Sequence, residues 1–456
     1  MNYKRYVLLF NIFFLVLLFA ASLLFEWKPG IAGPNFRPLD ILSDVLIDSS
    51  GAAHKPIKGK PNDPNGKDPK VKVEERDYTT YQGLINASGQ PTALPDFFNH
   101  LTALKQKKRK KIRIAYFGDS MIEGDLITQD VRRMLQETFG GTGVGFVPVT
   151  SIVAGFRQTI THSFTSNWDD VSYKSDNKAA RDLFISGHSF FSSGNSLVTY
   201  RAVNQPRLDA FNQMSVLFGS PVGGGDATAD IVVNGSAYPI HATASMNKLD
   251  LPMNNAKEAR ISISSTIIPL YGAAFESDSG IVLDNLSFRG ISGIELDYFS
   301  DSYLKQVQAT RPYDLLVFHY GVNLLFKPNL TEFNWYSKKM QPVLQKIKNA
   351  CPGTSLLMIS TADKGFSYNG SWHTAKGLEA LIDAQYTMAK NTGIDFFNLY
   401  NAMGGEDAIV RWANAEPSLA NRDYTHANFR GAKKIAEFIF NAIMNEYKEY
   451  EKHNSK

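Results

Sequence analysis

The sequence predicts an α/β fold: a doubly wound parallel sheet interrupted by a β-sandwich. Three observations predict it. Near-continuous apolar runs alternate with amphipathic runs of helical period over most of the chain. Between Gly140 and about Ser279 that alternation stops, and short β-type runs separated by Gly, Asn, Asp and Pro replace it. Small and polar residues collect where the apolar runs end, as at Gly118-Asp119-Ser120. Strands without polar alternation are buried on both faces, which requires helices above and below a parallel sheet. Catalytic groups in such sheets gather at the carboxyl ends of the strands.

The elements follow in order. "LPDFFNHLTALKQKK" sets Phe97, Phe98, Leu101 and Leu104 on one stripe, with Pro95 suited to a first helical turn. Strand "IRIAYF" is followed by helix "LITQDVRRMLQETFG". After the β-rich interval come strand "GIVLDNLSF", helix "IELDYFSDSYLKQVQAT" and strand "YDLLVFHYG". Helix "EFNWYSKKMQPVLQKIKNA", strand "SLLMIST", helix "AKGLEALIDAQYTMAKNTG" and strand "IDFFNLYNAM" continue the pattern. The last helix is expected over "HANFRGAKKIAEFIFNAIMNEY", apolar at Ala432, Ile435, Ala436, Ile439 and Ile443. Within the interval, "SLVTYRAV", "MSVLFG", "ADIVVNGSAYPIHAT" and "EARISISSTIIPLYGAAF" are strand-like, and short strands with turn signals between them predict the sandwich.

The N-terminus has its own signature. Lys4 and Arg5 precede an apolar run from Tyr6 to Phe25, long enough to cross a bilayer as a helix. Positive charge ahead of the run keeps the N-terminus cytoplasmic and exports the rest. A signal anchor over residues 1–27 is therefore expected, with a cleaved signal peptide as the competing reading. Residues 28–80 are rich in Pro, Gly, Lys and Asp, with few apolar residues and no period, so they predict a flexible tether spanning about 40 Å. The expected organisation is anchor 1–27, linker 28–80, α/β domain 90–140 plus 280–450, and inserted sandwich 141–279.

Composition excludes several function classes. The 456 residues are 43% hydrophobic with a net charge of +4, which gives no general affinity for nucleic acid. The basic run Lys105 to Arg113 sits between a helix and a strand and is expected to be a solvated helix end. The single cysteine, Cys351, rules out disulfide scaffolds, CxxC redox pairs and cysteine-based zinc sites. "GGTGVGF" fails as a dinucleotide fingerprint, because it follows a helix and Phe146 stands where the last glycine belongs.

Two places carry chemistry. Ser120 ends the first strand within "FGDSMIEGD". Asp423 and His426, spaced Asp-x-x-His, lie after the last strand on the same sheet edge. An Asp at that spacing can accept a hydrogen bond from one imidazole nitrogen, leaving the other to face a nucleophile. Helix capping by Asp423 or Thr425 explains the same residues without catalysis. Glu123 and Asp125 are accounted for as acidic residues at a helix start.

Together these blocks resemble the SGNH (GDSL-type) hydrolases, a flavodoxin-like esterase family. The serine block matches at Ser120, with Met121 in place of the name-giving leucine. The Asp-x-x-His block matches at Asp423 and His426. "FRGISGIE" is similar to the block that supplies a backbone-donor glycine, at Gly293. "HYGVNLL" keeps Gly321 and Asn323 of the third block but has Leu324 where the family has Asp. The resemblance covers about Lys111 to Tyr447 apart from the insertion. It implies a catalytic triad of Ser120, His426 and Asp423, with an oxyanion hole from Ser120, Gly293 and Asn323 and with no cofactor or metal.

The family comparison also implies a biology. Periplasmic O-acetylesterases of peptidoglycan and other bacterial polysaccharides combine this core with a carbohydrate-binding-module-like β-domain at the same place. A membrane-anchored esterase with a periplasmic or extracellular body follows, acting on an acylated polysaccharide or peptidoglycan. One alternative is an O-acetyltransferase paired with a membrane-bound acyltransferase. The other is a non-catalytic carbohydrate-binding envelope protein with a decayed core, to which Leu324 gives some support.

Overall fold

The computed structural model describes residues 76–454, apart from 177 and 179–181. The expected anchor and most of the expected tether lie outside them. Among the described residues no helix is long and apolar enough to cross a membrane.

The elements of the central domain are β1 (Leu84–Ile85), α1 (Pro95–Lys105), β2 (Lys111–Gly118) and α2 (Thr128–Phe139). The insertion holds β3 (Gly145–Pro148), β4 (Thr161–Phe164), β5 (Trp168–Ser172), β6 (His188–Ser192), β7 (Val198–Arg201) and β8 (Phe211–Phe218). It continues with β9 (Ala227–Val233), β10 (Ser236–Ala242), β11 (Asn247–Ala256), β12 (Glu258–Ile263) and β13 (Leu270–Glu276). The central domain then resumes with β14 (Gly280–Ser287), α3 (Asp301–Thr310), β15 (Leu315–His319), α4 (Asn334–Ala350) and β16 (Ser355–Ile359). A hairpin of β17 (Gly365–Tyr368) and β18 (Ser371–Thr374) leads to α5 (Leu378–Thr392), β19 (Asp395–Phe397), α6 (Leu399–Met403), α7 (Ala408–Asn414) and α8 (Phe429–Asn454).

The main sheet runs β1-β19-β16-β15-β2-β14, parallel throughout except for the antiparallel edge strand β1. Its five parallel strands lie in the order second, first, third, fourth, fifth, so the chain winds outward from β2 in both directions. Successive residues along β2 alternate between its faces. Ile112, Ile114 and Tyr116 pack with Val131, Leu135 and Ile439 of α2 and α8, while Ala115 and Phe117 pack with Leu304 and Leu344 of α3 and α4. Both faces are covered, which is why the strands carry so few polar residues.

The insertion is two antiparallel sheets, β10-β9-β12-β7-β4 and β11-β8-β13-β6-β5, with β3 pairing β13. They enclose one core that includes Phe190, Phe211 and Phe275 from one sheet and Tyr200, Ile231 and Ile261 from the other. Strand β12 shows the cause, burying Ala259, Ile261 and Ile263 while Arg260 and Ser262 face outward.

Several expected boundaries are corrected. "IELDYFSDSYLKQVQAT" is not one helix: a 3₁₀ turn over Ile294–Tyr298 precedes α3, which restarts where the Ser300 hydroxyl accepts the Tyr303 N–H at 3.2 Å. The strand in "IDFFNLYNAM" stops at Phe397, because Asn398 caps α6 by accepting the Asn401 N–H at 3.0 Å. Helix α2 begins at Thr128, after positive φ angles at Asp125 and Ile127 break the run. Helix α8 begins at Phe429, because Asn428 accepts the N–H groups of Arg430 and Gly431. His426 is therefore on a loop. The expected tether also ends earlier than residue 80: Tyr78 stacks on Tyr386 with ring centroids 3.9 Å apart and donates to Asp383 at 2.6 Å.

Candidate active site

Strand β2 delivers Ser120 to the carboxyl edge of the sheet. A side chain at Gly118 would meet Ile122 and the His319 carbonyl at about 3 Å, so the strand leaves the sheet tightly packed. Two residues later Ser120 is half-buried, and its Oγ lies 2.9 Å from His426 Nε2. His426 Nδ1 lies 2.7 Å from Asp423 Oδ2, while Asp423 Oδ1 accepts the backbone N–H groups of Thr425 and His426 at 3.0 Å each. Partial burial pushes the Asp423 carboxyl up, but these hydrogen bonds outweigh it and hold the group down to about 2. The carboxylate stays ionised and the imidazole keeps its orientation.

The loop bearing these residues is constrained from outside. Tyr424, between Asp423 and Thr425, has φ 49°, an unfavourable angle for a residue with a side chain. Gly365 donates its N–H to the Tyr424 carbonyl at 2.7 Å, and Trp372 of the β17–β18 hairpin stacks on the Tyr424 ring at 4.2 Å. An open cleft of about 750 Å³ lies above, lined by Ser120, Asn323, Asp423, His426, Phe156 and Phe429 among others.

The expected oxyanion donors are placed unequally. Among the described residues the backbone N–H groups of Ser120 and Gly293 have no protein acceptor. Gly293 is buried with φ 93° at the start of the 3₁₀ turn, where a side chain would strike the Tyr320 ring at 2.8 Å. Gly290, rather than Gly293, forms part of the cleft wall. Asn323 reaches the cleft, but its Nδ2 donates to Asp119 Oδ2 at 3.0 Å and to the Ile291 carbonyl at 2.9 Å. Both amide hydrogens are thus engaged within the protein. Expected as an oxyanion donor, Asn323 here ties together the loops after β2, β14 and β15.

Sequence reasoning overlooked two groups. Asp119 is fully buried beside Ser120 and accepts the Met121 N–H at 2.9 Å as well as the Asn323 amide. Burial pushes its carboxyl up to about 7, against the opposing hydrogen bond from Met121 and the charges of His426 and Lys364. Its position next to Ser120 was the available signal. Lys364 donates to the Val322 carbonyl at 3.1 Å and sets its charge towards Asp119 and Asp423. No local pattern distinguishes that lysine.

Glu123 and Asp125 are more than helix-start acids. Glu123 pairs with Arg289 at 2.6 Å. Asp125, fully buried, accepts two bonds from Arg132 at 2.7 Å, one from Thr128 and one from Thr159, and faces Arg157. Among the described residues no group of three or more His, Cys, Asp or Glu side chains is arranged to hold a metal ion.

This is a serine–histidine–aspartate line at the carboxyl edge of a doubly wound sheet, and comparison with known proteins shows which fold carries it. No family model matches the chain, and no curated protein is similar to it in sequence. Among solved structures the chain is similar to a peptidoglycan O-acetylesterase, at 19% identity and a TM-score of 0.66, over 81% of this chain and 99% of that one. The chain accordingly shares the fold of that protein. Lower scores link it to an acetyl xylan esterase (17% identity, TM-score 0.28, 36% of this chain and 81% of that one). They also link it to a lipase/acylhydrolase from Enterococcus faecalis (13% identity, TM-score 0.26, 37% of this chain and 77% of that one).

Proposed function

We propose that this protein is a membrane-tethered, extracytoplasmic serine esterase that removes O-acyl groups, chiefly O-acetyl, from an envelope or exopolysaccharide carbohydrate such as peptidoglycan. The observation that carries the proposal is the continuous hydrogen-bonded line Ser120–His426–Asp423 opening onto a cleft. The fold shared with an enzyme named for peptidoglycan O-acetyl groups supports the substrate class. The apolar run Tyr6 to Phe25 supports the tether.

The geometry supports a two-step acyl transfer. Ser120 Oγ attacks the ester carbonyl as its proton passes to His426 Nε2, and Asp423 steadies the imidazolium that forms. The Ser120 N–H is the donor already at the cleft for the oxyanion; the Gly293 N–H, set behind the cleft wall, and the Asn323 amide, by exchanging one of its present bonds, complete the set as the site adjusts to the substrate. Each donor is typically worth about 3 kcal/mol of transition-state stabilisation. Collapse expels the sugar oxygen, which takes the proton from His426 and leaves an acyl-serine. Water then attacks with His426 as base, releasing acetate and restoring Ser120.

The purified protein should hydrolyse 4-nitrophenyl acetate, and Ser120→Ala should lose that activity by several orders of magnitude with an unchanged melting temperature. An active Ser120→Ala protein would overturn the mechanism. Transfer to a sugar hydroxyl, with a membrane-bound acyltransferase as partner, would use the same triad. It would be recognised by acetylated glycan appearing in place of free acetate.

A further inference from the structure

A second cavity of about 240 Å³ adjoins the catalytic cleft. It lies between the sandwich residues near β3, β5 and β6 and the turn after β14. The two hollows share Glu123, Ile152, Val153 and Arg289 as a common wall, part of it the Arg289–Glu123 ion pair. The volume is roughly twenty times the ~10–15 Å³ that a single water needs. The space is preformed, because the sandwich is fixed to the sheet by buried ion pairs. Arg311 bridges Glu276 of β13 and Asp284 of β14, and Asp284 accepts the Phe146 N–H of β3.

Three observations point to an occupant. The Ser186 hydroxyl lines the cavity, is buried, and has no hydrogen-bond partner among the described residues. Leaving such a group unpaired costs stability, so a hydroxyl or carbonyl in the cavity, met by a turn of the Ser186 side chain, is its natural partner. His188 Nδ1 is paired with Asp170 Oδ1 at 2.8 Å, which leaves the second imidazole nitrogen and the second carboxylate oxygen to meet further polar groups. The His188 ring stacks on Phe288 at 4.6 Å, placing an apolar surface beside that polar pair. Ile152, on the shared wall, is 84% exposed, more than any other large apolar side chain described.

A site with an apolar floor, paired donors and acceptors at its edge and no dominant charge matches a pyranose ring, which has a C–H face and a hydroxyl rim. We propose that this cavity is a carbohydrate subsite, taking the sugar next to the acylated one in the same glycan strand. This rests on the reading of the adjoining cleft as a glycan O-acylesterase site. Recognition then extends over at least two sugar units, and the Arg289–Glu123 pair divides them.

The test uses soluble O-acetylated glycan strands released from peptidoglycan, with 4-nitrophenyl acetate as a substrate too short to reach the cavity. Ser186→Ala removes an unpaired hydroxyl, so its melting temperature should equal or exceed that of the wild type. Ser186→Ala and Asp170→Ala should each raise KM for the strands about 2- to 10-fold, the range for one lost hydrogen bond, with kcat little changed. Turnover of the small ester should stay at the wild-type level. In the Ser120→Ala background, calorimetric binding of the strands should weaken by the same factor when Ser186→Ala is added. Unchanged KM and binding in both variants, with the wild type active on strands, would overturn the subsite and leave the esterase reading intact. Strands that bind through Ser186 but are not hydrolysed would sustain the subsite and overturn the assigned substrate. Strands neither bound nor hydrolysed would overturn both.

Discussion

Asp119 and Asn323 meet at the floor of the cleft, 204 residues apart in sequence, and the pair decides how the serine loop is held. Asp119 is an acid whose burial raises it from 3.8 in the unfolded chain to about 7 in the folded protein. Between those values the folded state keeps a proton that the unfolded state has released. Stability therefore falls as pH rises through this window and levels off above it. Asp119→Asn has no proton to lose, so urea midpoints of wild type and variant measured from pH 4 to 8 should diverge in the variant's favour as pH rises. A difference independent of pH would refute the buried, proton-holding carboxyl. At this scale, Ser120, Asp423 and His426 were legible because each is announced by residues within a few positions. The second use of the Asn323 amide was not, since its partners, Asp119 and Ile291, become neighbours only when three strands align.

Among the elements, the β17–β18 hairpin has an importance its small size conceals. It lies across the sheet edge and contacts the Asp423–His426 loop through the Gly365 N–H and the Trp372 ring. The loop needs this support because Tyr424 holds a left-handed angle. Trp372 is 38% exposed, so losing it removes little core. The aromatic pair is worth about 0.5–1.5 kcal/mol. If that energy holds the histidine in register, Trp372→Ala should lower kcat on a small ester by about 2- to 10-fold with little change in melting temperature. A variant with full kcat would show the hairpin to be an ornament of the loop. Long periodic segments such as α4 and α5 were visible in the sequence because their apolar residues recur at helical spacing. The hairpin and the short strand β1 were not, since two to four residues carry no period. The breaks before α2, α3 and α8 depend on caps and positive φ angles, which periodicity does not register.

At the scale of the molecule, the question is whether the sandwich is a passenger or part of the enzyme's body. The change from helical to strand-like period near Gly140, and back near Gly280, is plain in the sequence, and β3 and β14 begin at Gly145 and Gly280. How the sandwich attaches is not plain, because the attachment is made by charged residues that look like surface. Arg311 donates to Asp284 at 2.6 and 2.9 Å and lies 3.0 Å from Glu276. Tyr313 donates to Asp284 at 2.7 Å, while Lys111 and Arg113 reach Glu276 at 2.6 Å each. Burial alone would raise Glu276, yet these cations hold its carboxyl well below the usual range. A buried carboxylate that loses a partner costs about 3–5 kcal/mol, far more than an exposed ion pair is worth. Since Glu276 belongs to the sandwich and Arg311 to the α/β domain, the cost falls on both together. The described body should accordingly melt in one calorimetric transition, and Arg311→Ala should shift that whole transition to lower temperature. Two resolved transitions, only one of them moved by the variant, would mean that sandwich and sheet fold independently and that the ion cluster does not couple them.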